Sequence, residues 1–102
     1  MIYLKVHNTP EGEIVAMCDS ELLGRTYREK KIELDLKAYS GFYKGALVEE
    51  KEIESRRELL TFYTANVVGE RAVAIFVRKG IVSEKDVTRI GDVPYIHIYR
   101  VL

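Results

Sequence analysis

Cys18, His7 and His97 are the side chains here whose chemistry is most readily named, and their placement restricts it. A cysteine nucleophile needs a base that turns thiol into thiolate. Both histidines fall on stretches that read as strands, and nothing local sets either beside the thiol. A small buried apolar residue is the favoured reading of Cys18. The same three residues lack the close ligand pairs of structural zinc, so no metal and no cofactor is expected.

The stretch from Gly41 to Gly45 lacks the Lys-Ser/Thr pair of a phosphate-binding loop. It reads as a turn whose aromatics, Phe42 and Tyr43, plug the edge of a core. Three other segments carry candidate sites. In Asn66-Val67-Val68-Gly69-Glu70-Arg71-Ala72, Asn66 suits a helix cap or a left-handed residue, and Gly69 permits close backbone approach. The first N–H groups of the helix that follows, with Arg71 beside them, could hold an anion. The competing reading is an ordinary helix joint in which Glu70 favours the dipole. In Arg89-Ile90-Gly91-Asp92-Val93-Pro94, Arg89 and Asp92 sit on a turn that could meet a ligand. The small-molecule hypothesis requires Asn66, Gly69, Glu70, Arg71, Arg89 and Asp92 to converge on one pocket. The third segment, Gly24 to Lys31, is the densest basic stretch. Arg25, Tyr27, Arg28 and Lys31, joined by Lys44, could grip a phosphate backbone and stack on a base. Its alternative is a solvated surface.

These segments must be positioned by one small core. A chain of 102 residues, 47% apolar and 31% charged, fits a single domain spanning 1–102. Such a chain buries roughly 60–70% of its unfolded surface. Lys plus Arg and Asp plus Glu each number 16, a balance that bulk nucleic-acid or membrane attraction does not predict. High Lys, Glu, Arg and Tyr usage resembles a thermophile composition. One cysteine excludes an internal disulfide, and MIYLKVHNTP has neither a signal-peptide core nor a spanning helix. The cytoplasm is the expected location, with no membrane partner.

Ile2, Leu4 and Val6 alternate with Tyr3, Lys5 and His7, as in a half-buried strand. The Pro10-Gly12 turn leads to a second strand from Glu13 to Cys18, predicting an antiparallel hairpin. Asp19 or Ser20 suits the cap of a short helix, Glu21-Leu22-Leu23, that stops at Gly24. Arg25 to Lys30 reads as a polar connection. The alternation of Ile32, Leu34 and Leu36 with charged residues predicts a strand with one buried face. Glu49 to Asn66 reads as a helix, its stripe formed by Ile53, Leu60, Tyr63 and Val67. A second helix, about Gly69 to Lys79, is apolar nearly all round and is expected at the centre, with Arg78-Lys79-Gly80 as its stop. Ser83 to Asp86 resembles a capping box. Val87 to Ile90 and Tyr95 to Leu102 read as strands. The predicted class is α+β, in the order β-β-α-β-α-α-β-β, a mostly antiparallel sheet with a helix pair on one face.

Four stretches in order, Ser20-Glu21-Leu22-Leu23-Gly24, Phe42-Tyr43-Lys44-Gly45, Ala65 to Val73 and Arg89 to Pro94, give the chain a resemblance to the archaeal "domain of unknown function 424" family. The resemblance covers nearly the whole chain. It implies an archaeal cytosolic protein and brings no catalytic residue to carry over. The leading expectation is a non-enzymatic binding module, accessory to translation or RNA metabolism, with RNA or a ribonucleoprotein as partner. A small-molecule or anion-binding enzyme at the Asn66 and Arg89 segments is the alternative. Self-pairing through an exposed sheet face or edge strand is compatible with either.

Overall fold

Ile2–Thr9 (β1) and Gly12–Asp19 (β2) form the expected antiparallel hairpin, with Val6 opposite Val15 and Ile2 opposite Asp19. The computed structural model describes residues 1–100. After β2, Ser20–Leu22 makes one 3-10 turn with no side-chain cap. The following segment is a strand where a polar connection was expected. Thr26–Glu29 (β3) pairs with Ile32–Asp35 (β4) in a two-stranded arm. Only one side of this arm meets the core. Leu36 is fully buried and Leu34 half-buried, but Ile32, beside the turn at the tip, is 51% exposed. The buried face expected for all three therefore shrinks to its inner end.

Ser40–Tyr43 (α1) leads to Ala46–Val48 (β5), which pairs with β1. The long helix expected over Glu49 to Asn66 is broken. Glu50–Glu54 (α2) and Glu58–Thr61 (α3) are short helices, and Leu60 of the predicted stripe is exposed. Thr64–Val68 (β6) is a strand, running parallel to β2. A strand covered on both faces reads as a near-continuous apolar run, which period alone does not separate from helix. The chain turns extended at Phe62 (φ −61°, ψ 152°), and the Tyr63 N–H bonds the Glu13 carbonyl at 2.7 Å.

Glu70–Arg78 (α4) follows. Ala72, Val73, Ile75 and Phe76 are buried, while Glu70 and Arg78 face out. It is an amphipathic helix lying on the sheet, and the expectation of a fully buried central helix is corrected. Its stop is as expected. Gly80 (φ +72°) donates to Val77 and Ile81 to Phe76, both at 3.0 Å, which closes a Schellman motif. Ser83 and Asp86 form the predicted capping box around one 3-10 turn. Thr88–Ile90 (β7) and Val93–Tyr99 (β8) complete the sheet. The expected last strand ran to Leu102, and Val101 and Leu102 lie outside the described residues.

The sheet order is β5-β1-β2-β6-β8-β7, antiparallel except for β2 beside β6. The first and last long strands, β1 and β8, are held apart by β2 and β6. One face carries Ile2, Leu4, Val15, Met17, Ala65, Val67 and Ile96 against Ile53, Leu59, Phe62, Val73 and Phe76 of the helical side. The opposite face carries Ala16, Cys18 and Val68 against Leu36 and Tyr43. Each large side chain fully buried this way contributes about 1.5–3 kcal/mol. Among the described residues no helix is long and apolar enough to cross a membrane.

Candidate functional site

A pocket opens on the face that the arm and α1 cover. The strand register builds its floor. Lys5 pairs with Ala16, Ala16 with Asn66 and Asn66 with His97, one row across four strands. Alternation puts this row on the same side as Cys18 and Val68. Ala16 is fully buried in the second core cluster, and Asn66, next to it in the row, enters the pocket lining. The walls are Glu33, Leu34, Asp35 and Leu36 from β4 and its end, and Tyr39, Phe42 and Tyr43 from α1 and its cap. The volume is about 370 Å³, within the usual range for small-ligand sites.

The walls are held by polar contacts. Asp35 accepts from the Thr26 hydroxyl at 3.1 Å and from the Lys37 and Ala38 N–H groups at 3.2 and 2.8 Å. The Ala38 N–H, above all, holds the Asp35 carboxyl below its ordinary range. This turn feeds β4 into α1. On the far wall, Lys5 Nζ donates to the Gly41 carbonyl at 2.8 Å, and His7 Nε2 donates to the Phe42 carbonyl at 2.9 Å. The His7 ring stacks on Phe42, centroids 4.6 Å apart. The loop read as a plug for the core edge is thus part plug, part wall. Tyr43 is buried, Phe42 half-buried, and Tyr39 stands 65% exposed at the rim.

Cys18 lies under this wall and is fully buried. Burial, then the neighbouring Asp19 and Glu21, push its thiol up to about 12. Its S–H donates to the Asp19 carbonyl at 3.3 Å. Among the described residues no three His, Cys, Asp or Glu side chains are grouped to hold a metal ion.

The residues proposed for an anion site separate. Asn66 lines the pocket, on β6 and not in a helix cap. Gly69, Glu70 and Arg71 begin α4 on the next turn of chain. The N–H groups of Arg71 and Ala72, read from the sequence as open to an anion, bond Asp19 Oδ2 and Oδ1 at 3.0 and 2.9 Å. Arg71 also pairs with Glu21 and lies 3.4 Å from Glu50. Arg89 Nη1 reaches Glu70 at 2.8 Å and the Asp92 carbonyl at 3.2 Å, so the two segments touch on the exposed side of the helix start. None of these five lines the Asn66 pocket.

Of the basic candidates, Arg28 pairs with Glu33 and Arg25 Nε donates to the Glu21 carbonyl at 3.1 Å. Tyr27 packs into the second core cluster opposite Leu34. Lys31 and Lys44 are exposed, and each lies within two residues of a pocket-lining side chain. Sequence reasoning missed Tyr39 and the inner end of β4 as pocket walls. The two glycines around Phe42 and Tyr43 were the available signal.

Residues 6–101 match a family model described as "Protein of unknown function (DUF424)". The chain is also similar to a solved structure, that of an uncharacterized conserved protein from Methanopyrus kandleri. The two are 28% identical with a TM-score of 0.75, over 96% of this chain and 90% of that one. No curated protein matches the chain.

Proposed function

This chain belongs to the DUF424 family of proteins of unknown function, and from that premise we propose that it is a single-domain, non-enzymatic binding module of the cytoplasm that takes single-stranded RNA across the Asn66 pocket. The observation that carries the reading is the pocket itself. It joins an amide on its floor to an aromatic rim, with Glu33 and Asp35 in its walls, and the exposed Lys31 and Lys44 stand within two residues of its lining in the chain. An asparagine amide offers both a donor and an acceptor to a base edge. Tyr39, exposed at the rim, offers a face for stacking, worth about 1–3 kcal/mol per base. Lys31, Lys44 and Arg25 supply cations to phosphates. With about three such contacts, the slope of log affinity against log salt is about −2 for a single strand.

The balanced charge of the chain argues for this local mode over a broad basic surface. The competing small-molecule reading needed one pocket shared by Asn66 and the start of α4, and the Asp19 carboxylate already holds that helix start. The test is fluorescence anisotropy of a labelled single-stranded RNA with the purified protein at several salt concentrations. Salt-sensitive binding that weakens in Asn66→Ala supports the proposal. Absence of binding at low salt, or binding that Asn66→Ala and Lys31→Glu leave unchanged, removes it.

A further inference from the structure

The lining of the Asn66 pocket includes two carboxylates, Glu33 and Asp35, and no Lys, Arg or His among the described residues. A phosphate is repelled from such a lining, so the base is the part of a strand that enters it. The two carboxylates differ. Glu33 pairs with Arg28, which offsets its charge. Asp35 is held by hydrogen bonds. Its Oδ1 accepts from the Thr26 hydroxyl and from the Lys37 and Ala38 N–H groups, and its Oδ2 accepts none among the described residues. The Ala38 N–H, first among these, lowers the proton affinity of Asp35 and keeps it ionised. The wall thus holds a fixed anionic acceptor with capacity to spare.

Asn66 is uncommitted as well. Its half-buried amide makes no side-chain hydrogen bond among the described residues. Among those residues Arg71 Nε is the one fully covered side-chain N or O atom that lacks a partner. Both amide atoms of Asn66 are therefore accessible, and so is Asp35 Oδ2. An amide is satisfied by a partner that accepts and donates together. An alkylammonium only donates, and would leave the amide N–H unmatched. A base edge does both.

We infer that the pocket selects bases that carry an exocyclic amino group and rejects uracil. This selection presupposes that the pocket takes single-stranded RNA. Cytosine shows the chemistry most simply. Its ring nitrogen accepts from the Asn66 amide, and one amino hydrogen returns to the amide oxygen. The second amino hydrogen is left for Asp35 Oδ2. Uracil has a carbonyl oxygen in place of that amino group, so two acceptors face each other with no proton between them. The two bases are nearly equal in size, and a pocket of about 370 Å³ admits both. The aromatic walls take the face of either ring. The choice falls to the polar edge.

The experiment is fluorescence anisotropy at one low salt concentration with a short labelled uridine strand. The same strand is measured with one central uridine replaced by cytidine, adenosine or guanosine. Each replacement is expected to tighten binding about fivefold or more. Cytidine against uridine is the deciding pair, because purines also stack more strongly. Equal affinity for that pair overturns the selection, even where the purine strands bind tighter, and leaves RNA binding standing. Absence of binding by every strand removes the RNA reading and the selection with it. In Asp35→Asn, an oxygen that keeps the Ala38 bond sets an N–H donor in the place of Oδ2. The preference for cytidine should close or reverse in that variant, with circular dichroism establishing that it is folded. A preference that survives unchanged in the folded variant overturns the role of Asp35, and the wild-type comparison decides the selection should the variant not fold.

Discussion

Asp19 and Ala72 stand far apart in the chain, yet the Ala72 N–H bonds Asp19 Oδ1 at 2.9 Å, while Oδ2 takes the Arg71 N–H at 3.0 Å. The last residue of β2 is thus the cap of α4. The carboxylate is 2% exposed, and burial raises its proton affinity against the lowering effect of the two N–H groups. Removing it leaves buried donors at a helix start. Asp19→Ala is expected to cost about 2 kcal/mol, a fall of about 1 M in the urea midpoint. Asp19→Asn keeps one acceptor oxygen and should lose less. Equal stability of wild type and Asp19→Ala would show that the cap is not needed.

Gly69 sits against the same carboxylate. Its φ is +110°, and a Cβ there would meet Asp19 Cγ at 2.3 Å. Gly69→Ala should therefore destabilise by at least about 1–3 kcal/mol through backbone strain alone. In a double-mutant cycle the Gly69→Ala cost should shrink when Asp19 is already alanine, because the clash with the carboxylate is gone. Strictly additive losses would exclude that clash.

Cys18 should be silent toward thiol reagents. With its thiol pushed up to about 12, only about one molecule in ten thousand carries a thiolate at pH 8. Labelling with a chromogenic disulfide should then proceed only as fast as the protein unfolds, and at the ordinary rate in denaturant. Rapid native-state labelling contradicts this reading.

Asp35 carries the pH dependence of the pocket wall. Its folded-state proton affinity is lowered, first by the Ala38 N–H. The contribution is therefore present above the unfolded value of about 3.9 and is lost as pH falls through the lower folded value. The Ala38 amide signal should titrate below pH 3.9 in an NMR series, and the titration should vanish in Asp35→Asn. A midpoint at or above the ordinary value counts against the contact.

RNA affinity should fall roughly tenfold or more in Tyr39→Ala, the loss of one stacked base. The urea midpoint should barely move, since Tyr39 is exposed. Lys31→Glu should weaken binding for every sequence and flatten the salt slope by about 1 or more. Unchanged affinity in Tyr39→Ala would move the stacking role elsewhere.

Local chemistry alone made several elements legible. The period of Ile2, Leu4 and Val6 specifies a strand, because alternation leaves one face wet. Gly80 after Arg78-Lys79 ends a helix, because a left-handed residue closes the last turn. Ser83 with Asp86 makes a capping box within four residues. The class, α+β with a mostly antiparallel sheet, follows from such signals and agrees with the structure. The ordered motifs led to the family that the match over residues 6–101 shows.

Long-range partners decided the rest. Thr64, Ala65 and Asn66 read as the end of a helix because a strand buried on both faces has no wet side to reveal its period, and only β2 and β8 on either flank make Thr64–Val68 a strand. Asp19 has the chemistry of a cap wherever it stands, but the fold alone sets which helix start lies within its reach. Asn66 enters a pocket through cross-strand register, a relation between residues that no local window contains.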